Sequence, residues 1–360
     1  MNSEKKAVHS FWMIIFLNLM SQNMAADRLN FSRWMEKLPL RFYSTPLTNI
    51  AIPGSHDSCS YSLSPRSSYS IGLDSKVKEI ISSMDIAMGK ELVYRWSVTQ
   101  AQTIEEQLQS GIRYLDVRIS YKYSQREIYV SHGLLGAKLD DILVQVKNFV
   151  KKFTREIILL DFNHIYTSPE DRSTVLFLLF SKMKRHLGPH LCPRTKLSQI
   201  TLQYLWRIKK QILFFFNRLK SEHLPQFSWS SYANILAPFD TQTFKDPDKW
   251  TEFLTLKYKS KRPPHMFYVT QGILSPHWIE VLAGQTVNAT LKTWISQTAS
   301  RRLVDWLQTR KAGSNGINIV IADYIEEYNF VPTVLSLNGS GRPFFRMCIY
   351  FILLTLYVLV

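Results

Sequence analysis

From residue 31 to 338, short apolar runs of strand length alternate with longer segments whose apolar residues recur at helical spacing. Strands are expected at 48–53, 112–119, 127–130, 156–162, 211–216, 266–270 and 317–322, with a short one at 234–236. Helical pattern falls between them, at 31–38, 76–88, 103–108, 137–153, 173–187, 198–208, 250–258, 276–284 and 290–309. The segment 137–153 shows why: Leu139, Ile142, Leu143, Val146 and Val150 share one helical face. Thr103, followed by Glu105 and Glu106, supplies an N-terminal cap and an acidic first turn. Residues 58–75, rich in Ser and Tyr, read as an exposed loop, and 221–250 carry little pattern. Strands alternating with helices predict parallel strands joined by crossover helices. The expected fold is therefore α/β, a single domain forming a distorted TIM-type (β/α)8 barrel.

The polar residues cluster where these strands end. The run Ile50-Ala51-Ile52 stops at Pro53-Gly54 and delivers Ser55, His56 and Asp57. The next strand places Tyr114, Asp116 and Arg118 on one face and Leu115, Val117 and Ile119 on the other. Further runs end in Ser131-His132-Gly133, Asp161-Phe162-Asn163-His164, Asn217 and Asp323. A lone His or Asp at a strand end is commonly a loop anchor. Several such ends on one face of a barrel are where this architecture keeps its active site. Two imidazoles, carboxylates and an arginine suit acid–base chemistry on a phosphate ester: one imidazole takes a proton from a hydroxyl, the other protonates the leaving group. The arginine can hold a phosphate in a forked contact. No HExxH or acidic metal-binding motif competes, so no metal or other cofactor is expected.

Composition narrows the partners. The 360 residues are 46% hydrophobic and carry 44 Lys and Arg against 28 Asp and Glu, a net charge of +16. That excess favours phospholipid surfaces, phosphorylated substrates or nucleic acid. Zinc-finger spacing, RNA-binding aromatic motifs and a long basic arm are all missing, so the expected partner is an anionic phospholipid membrane and not nucleic acid. The three cysteines, Cys59, Cys192 and Cys348, are too scattered for a disulfide framework or a metal pair.

The stretches Pro46–Ser58, Gly111–Arg118, Ser131-His132-Gly133, Leu160–His164 and Gly316–Asp323 together resemble the phosphatidylinositol-specific phospholipase C X-domain-containing proteins, over residues 31–338. The resemblance implies a phosphoric diester hydrolase, probed by its site residues. His56 would be the general base on the inositol 2-hydroxyl and His132 the general acid on the departing diacylglycerol oxygen. Asp57 would orient His132, Asp323 would orient His56, and Asp116 with Arg118 would complete the phosphate site. The first product would be a cyclic inositol phosphate. Calcium-dependent relatives use acidic ligands on the second and fourth strands. Here Arg118 follows Asp116, and Phe162-Asn163 stands where an acid would be wanted, so Arg118 takes the part of a built-in cation. The calcium-independent bacterial enzymes carry a lysine near the end of the fourth strand; Asn163 and His164 stand there instead and are expected to contact substrate. The alternatives are a weakly active or non-catalytic membrane-binding module of the same fold, and a phosphodiesterase for another lipid, acting on glycerophosphodiesters or sphingomyelin.

The ends bear on location. Residues 1–30 hold Lys5-Lys6 and the apolar run Phe11–Met20, a signal-like segment or a plain extension. Residues 339–360 end in an uncharged tail, Met347–Val360, which as a helix would rise only about 21 Å. The chain is expected to be a membrane-associated monomer on the cytoplasmic side, docked by its tail. The alternative is secretion with a GPI-attachment signal, which would make the sequons at Asn30, Asn288 and Asn338 accessible.

Overall fold

The strands of the computed structural model are β1 (Ile52–Ser55), β2 (Tyr114–Lys122), β3 (Glu127–His132), β4 (Leu134–Lys138), β5 (Ile158–Tyr166), β6 (Ile212–Phe216), β7 (Trp229–Ser230), β8 (Ile235–Leu236), β9 (Phe267–Gly272) and β10 (Ile319–Ala322). The structure describes residues 31–339 except 218–223, 240–245 and positions 261, 264, 277 and 286; the signal-like segment and the apolar tail lie outside the described residues. Eight strands pair in the order β7-β6-β5-β2-β1-β10-β9-β8, and every pairing along that path is parallel. β10 on β1 closes the ladder on one side. It stays open between β7 and β8, each two residues long. The result is a curled, distorted (β/α)8 barrel, as the alternation predicted.

The helices are α1 (Ser75–Ser82), α2 (Ile86–Ser97), α3 (Ile104–Gln109), α4 (Leu139–Lys152), α5 (Arg172–Leu187), α6 (Leu202–Arg207), α7 (Ser231–Asn234), α8 (Pro247–Lys259), α9 (Trp278–Gln285), α10 (Gln297–Leu307) and α11 (Phe330–Ser336). At α3 the expected cap is a full capping box, with Glu106 N donating to Thr103 Oγ1 at 3.3 Å and Thr103 N to Glu106 Oε2 at 2.8 Å. In α4 the five residues of the predicted stripe are all buried. β6 is buried along its whole length, as a central parallel strand covered on both faces must be.

Several expectations change. The strand expected from residue 48 begins at Ile52, because Leu47–Asn49 form a 3-10 turn. Side-chain amides satisfy this stretch where a neighbouring strand would have: Asn318 Nδ2 donates to Leu47 O and Ile50 O, and Asn338 brackets Ala51 through both its N–H and its carbonyl. Residues 31–38 form turns, not a helix, although Trp34 and Met35 are buried as expected. The helix expected at 76–88 is two, because Asp85 caps a new start by accepting from Ala87 N and Met88 N. The run ending in His132 is not a barrel strand. β3 lies antiparallel to β2 and turns at Gly133, φ 70°, into β4 as a hairpin outside the parallel path. The loop 58–75 is not simply exposed: Ser58, Cys59, Ser60, Leu63, Ser70 and Leu73 are buried. Among the sequons, Asn288 is exposed, but Asn338 is buried with its amide committed to Ala51, so it is closed to modification in the folded chain. Among the described residues no helix is long and apolar enough to cross a membrane.

Candidate active site

His56 is the first residue past β1, and its carbonyl is held by Thr99 Oγ1 at 2.9 Å and Gln100 Nε2 at 3.0 Å. Asp57 follows in the left-handed conformation, φ 41°, which is strained for a residue with a Cβ. Asp116 on β2 fixes that turn: its Oδ2 accepts from Asp57 N at 3.1 Å, and its carbonyl accepts from Ser58 N at 2.9 Å.

Both histidines are locked through Nδ1. His56 Nδ1 lies 2.8 Å from Asp323 Oδ1, and Ser296 Oγ donates to the other oxygen of that carboxylate at 2.9 Å. His132 Nδ1 lies 2.8 Å from Ser97 O at the end of α2. An ionised carboxylate and a carbonyl only accept, so each Nδ1 carries the proton and each Nε2 faces the cavity. Between the two Nε2 atoms sits Asp57, with Oδ2 3.4 Å from His56 and 3.3 Å from His132. The rings stand 6.4 Å apart, their planes at 73°.

Arg118 completes the cluster. Its Nη2 lies 2.9 Å from His56 Nε2 and 3.4 Å from Asp116 Oδ2, and its Nε pairs with Asp57 Oδ1. Among the described residues, His56, Asp57 and Asp116 have the spacing of metal ligands. The guanidinium already touches all three, so the residues present do not fit an added metal ion there: it would meet a fixed positive charge.

The electrostatics follow from burial and these neighbours. Burial lowers the pKa of His56, but Asp57 and Asp323 outweigh it and hold the group above its ordinary value. For His132 burial prevails over the attraction of Asp57, with Arg118 adding to it, and the pKa falls. Burial would raise Asp116, but Arg118 and His56 more than offset that and keep its carboxyl low.

Asn163 and His164 lie within β5, not on the loop after it, since the strand runs on to Tyr166. The β2–β5 register passes from Asp116 opposite Asp161 to Arg118 opposite His164, so β5 carries an extra residue there. That bulge brings both Asn163 and His164 to the cavity wall. Asn163 Nδ2 donates to Asp116 Oδ1 at 2.6 Å, and its Oδ1 lies 2.7 Å from His164 Nδ1. Asn217 Nδ2 donates to Asn163 O at 3.1 Å. The structure thus gathers His56, Asp57, Asp116, Arg118, His132 and Asp323 directly, with Asn163 one hydrogen bond away and His164 beyond it.

Sequence reasoning missed Ser97, Ser296 and the role of Asp161. Ser97 acts through its carbonyl, which leaves no side-chain signal. Asp161 is buried on β5 and accepts from Tyr114 Oη and Ser231 Oγ, each at 2.6 Å; burial pushes its pKa up to about 6. An acid inside the apolar run 156–162 was the available signal. His56, Asp116, Arg118, His132, Asp161, Asn163, His164 and Asp323 line one cavity of about 910 Å3 at the C-terminal ends of the strands, with Asp57 and Ser296 behind them.

Known structures define the class. A mutant form of the phosphatidylinositol-specific phospholipase C of Staphylococcus aureus matches 86% of this chain and 97% of its own, with a TM-score of 0.57 at 18% identity. The Listeria monocytogenes phosphatidylinositol-specific phospholipase C matches over 87% and 99%, with a TM-score of 0.55 at 19% identity. The barrel is therefore the fold of these phospholipases. The chain is 36% identical over 307 residues to PI-PLC X domain-containing protein 2 of Mus musculus, covering 85% of this chain and 87% of that protein. It is 33% identical over 321 residues to PI-PLC X domain-containing protein 3 of Homo sapiens, covering 89% and 97%. The chain belongs to the PI-PLC X domain-containing protein family. No protein-family model matches it.

Proposed function

We propose that the chain is a phosphoric diester hydrolase that cleaves phosphatidylinositol-type lipids without a metal ion, releasing a cyclic inositol phosphate and diacylglycerol. One observation carries this reading: two imidazoles, each fixed through Nδ1 by its own acceptor, turn their Nε2 atoms toward the same guanidinium–carboxylate pair. His56 Nε2 takes the proton of the inositol 2-hydroxyl as its oxygen attacks phosphorus. His132 Nε2 gives a proton to the glycerol oxygen as the P–O bond breaks. Arg118 leaves His56 Nε2 to meet the phosphate and stabilises the charge that grows on its non-bridging oxygens. Asp323 and Ser97 O hold the two rings through Nδ1, whereas Asp57, expected to orient His132, lies between the two Nε2 atoms; Asn163 and His164 face the inositol ring.

Ile71, Ile86, Met88 and Val287, exposed by 56%, 71%, 63% and 64%, lie on the segments that flank the cavity. With the net positive charge they support docking of the barrel mouth on an anionic phospholipid membrane; the cytoplasmic side is the one we propose for it.

The test is release of inositol phosphate from phosphatidylinositol vesicles in excess chelator. The rate should equal that with calcium restored; strict calcium dependence overturns the metal-free part. A second reading, lipid binding without turnover, draws on the guanidinium capping His56 Nε2 at 2.9 Å. Vesicles that are bound but never cleaved would favour it.

A pH dependence follows. Turnover needs His56 neutral and His132 charged, whereas their surroundings push His56 up and His132 down. Below both pKa values the base is blocked; above both, the acid is spent. The profile of kcat/KM is expected to be bell-shaped, with limbs that belong to the coupled pair and a maximum lowered because few molecules hold the productive protonation state. A profile with one limb alone would mean that only one histidine transfers a proton.

A further inference from the structure

The cavity wall differs from side to side, and Ile235, Val269, Ile273 and Leu274 add apolar surface along β8, β9 and the segment after β9. Toward β5, β6 and α7 its wall carries Asn163, His164, Asn217 and Ser231. Toward α1, α2 and α9 it carries Leu73, Val77, Ile80, Val93, Trp96 and Val281, with Asp74 and Lys76 exposed at the outer edge. His132 belongs to the apolar side. Its Nδ1 is held by Ser97 O, the last residue of α2. Gly133 beside it lies so close to α2 that a Cβ would meet Val93 Cγ1 at 2.7 Å. α2 in turn packs on α9, where a Cβ on Gly284 would meet Trp96 at 2.6 Å. Leu92, Trp96, Ala289 and Leu291 form a buried cluster, of which Leu92, Trp96 and Leu291 also line the cavity.

We propose that the apolar wall is a subsite for a hydrocarbon arm of the leaving group, so that part of one lipid chain enters the barrel mouth and does not stay wholly in the bilayer. The proposal rests on the phosphodiesterase reading for the direction of departure. Attack and departure lie roughly in line through phosphorus. The group protonated by His132 therefore leaves on the His132 side, away from the polar wall that faces the inositol ring. A polar leaving group would lose its water there without replacement hydrogen bonds, whereas methylenes gain by burial. Leu73, Val93 and Trp96 are mostly buried in packed clusters, which leaves the half-buried Val77, Ile80 and Val281 as the surface a chain would meet.

The test is calorimetric binding of straight-chain alkyl phosphates, ethyl through octyl, to the full chain. Their phosphate suits Arg118, and no turnover is required. Kd should fall about fourfold for each methylene buried until the subsite is filled. In the double variant Ile80→Gln, Val281→Gln that dependence should flatten. Both residues are half-buried, so the change is not forced into the core. A wild-type Kd that does not vary with chain length, an absence of binding by octyl phosphate, or equal dependence in the two proteins overturns the subsite. Phosphatidylinositol cleavage is assayed in parallel. Cleavage with a flat series removes the subsite and leaves the reaction; a steep series without cleavage keeps the subsite and removes the reaction.

Discussion

Arg118→Lys is expected to lower kcat for phosphatidylinositol cleavage by about a hundredfold to a thousandfold, with a much smaller change in KM. The size follows from geometry and not from charge, which lysine keeps. Arg118 reaches Asp57 through Nε and Asp116 through Nη2, and these two carboxylates fix the plane of its fork when Nη2 leaves His56 for the phosphate. A planar guanidinium held this way can offer parallel N–H groups to two phosphate oxygens, and it is oriented before the charge on them grows. An ammonium still attracts the lipid phosphate, which keeps binding close to normal, but it cannot follow both oxygens into the transition state. Burial works against a charged Arg118, but Asp57 and Asp116 hold its proton firmly, so its positive charge persists across the working pH range. Steady-state kinetics on mixed micelles gives the answer. A lysine variant with more than a tenth of the wild-type kcat would mean that Arg118 acts as a simple counter-ion. His56→Ala provides the reference for complete loss of the proposed base.

Much of the fold was legible because the alternation of buried strands and amphipathic helices is written in side chains. Ile50–Ile52 before Pro53-Gly54 marked the site's first loop, and the two faces of β2 placed Asp116 beside Arg118. What escaped is set by partners distant in sequence. Nothing near Leu47 tells that Asn318 and Asn338 satisfy the backbone of Leu47, Ile50 and Ala51 and delay the strand. Ile128 and Val130 alternate in the same way whether β3 runs parallel or antiparallel to β2; only its pairing decides. The bulge that turns both Asn163 and His164 inward depends on the register between β2 and β5, which composition does not encode. The lock on His132 is a backbone carbonyl, invisible in any residue type.

A second large effect is expected far from the chemistry. Arg113 directly precedes β2 and is wholly buried, its Nε and Nη2 on Glu156 Oε2 at 2.9 and 2.6 Å. Its remaining N–H groups go to carbonyls: Nη1 to Leu108 and Ile112 at 2.6 and 2.7 Å, Nη2 also to Ser32 at 2.9 Å. Glu156 also accepts from Met35 N at 3.3 Å and Glu36 N at 3.1 Å. One ion pair therefore ties residues 32–36 and the end of α3 to the starts of β2 and β5, at the base of the barrel. Burial lowers the pKa of Arg113, and Glu156 is the charge that opposes this. Glu156→Ala leaves a guanidinium buried without its counter-charge, and the expected loss of stability is about 3–5 kcal/mol. Replacing both members by apolar residues of similar volume, Arg113→Met with Glu156→Leu, should cost less than the single change, because no buried charge is left alone. Denaturant unfolding of the three proteins measures this. A loss below about 1 kcal/mol for Glu156→Ala, the worth of an exposed pair, would show that water reaches the site. Cleavage per folded molecule should stay at the wild-type rate, since the pair sits at the opposite end of β2 from Arg118.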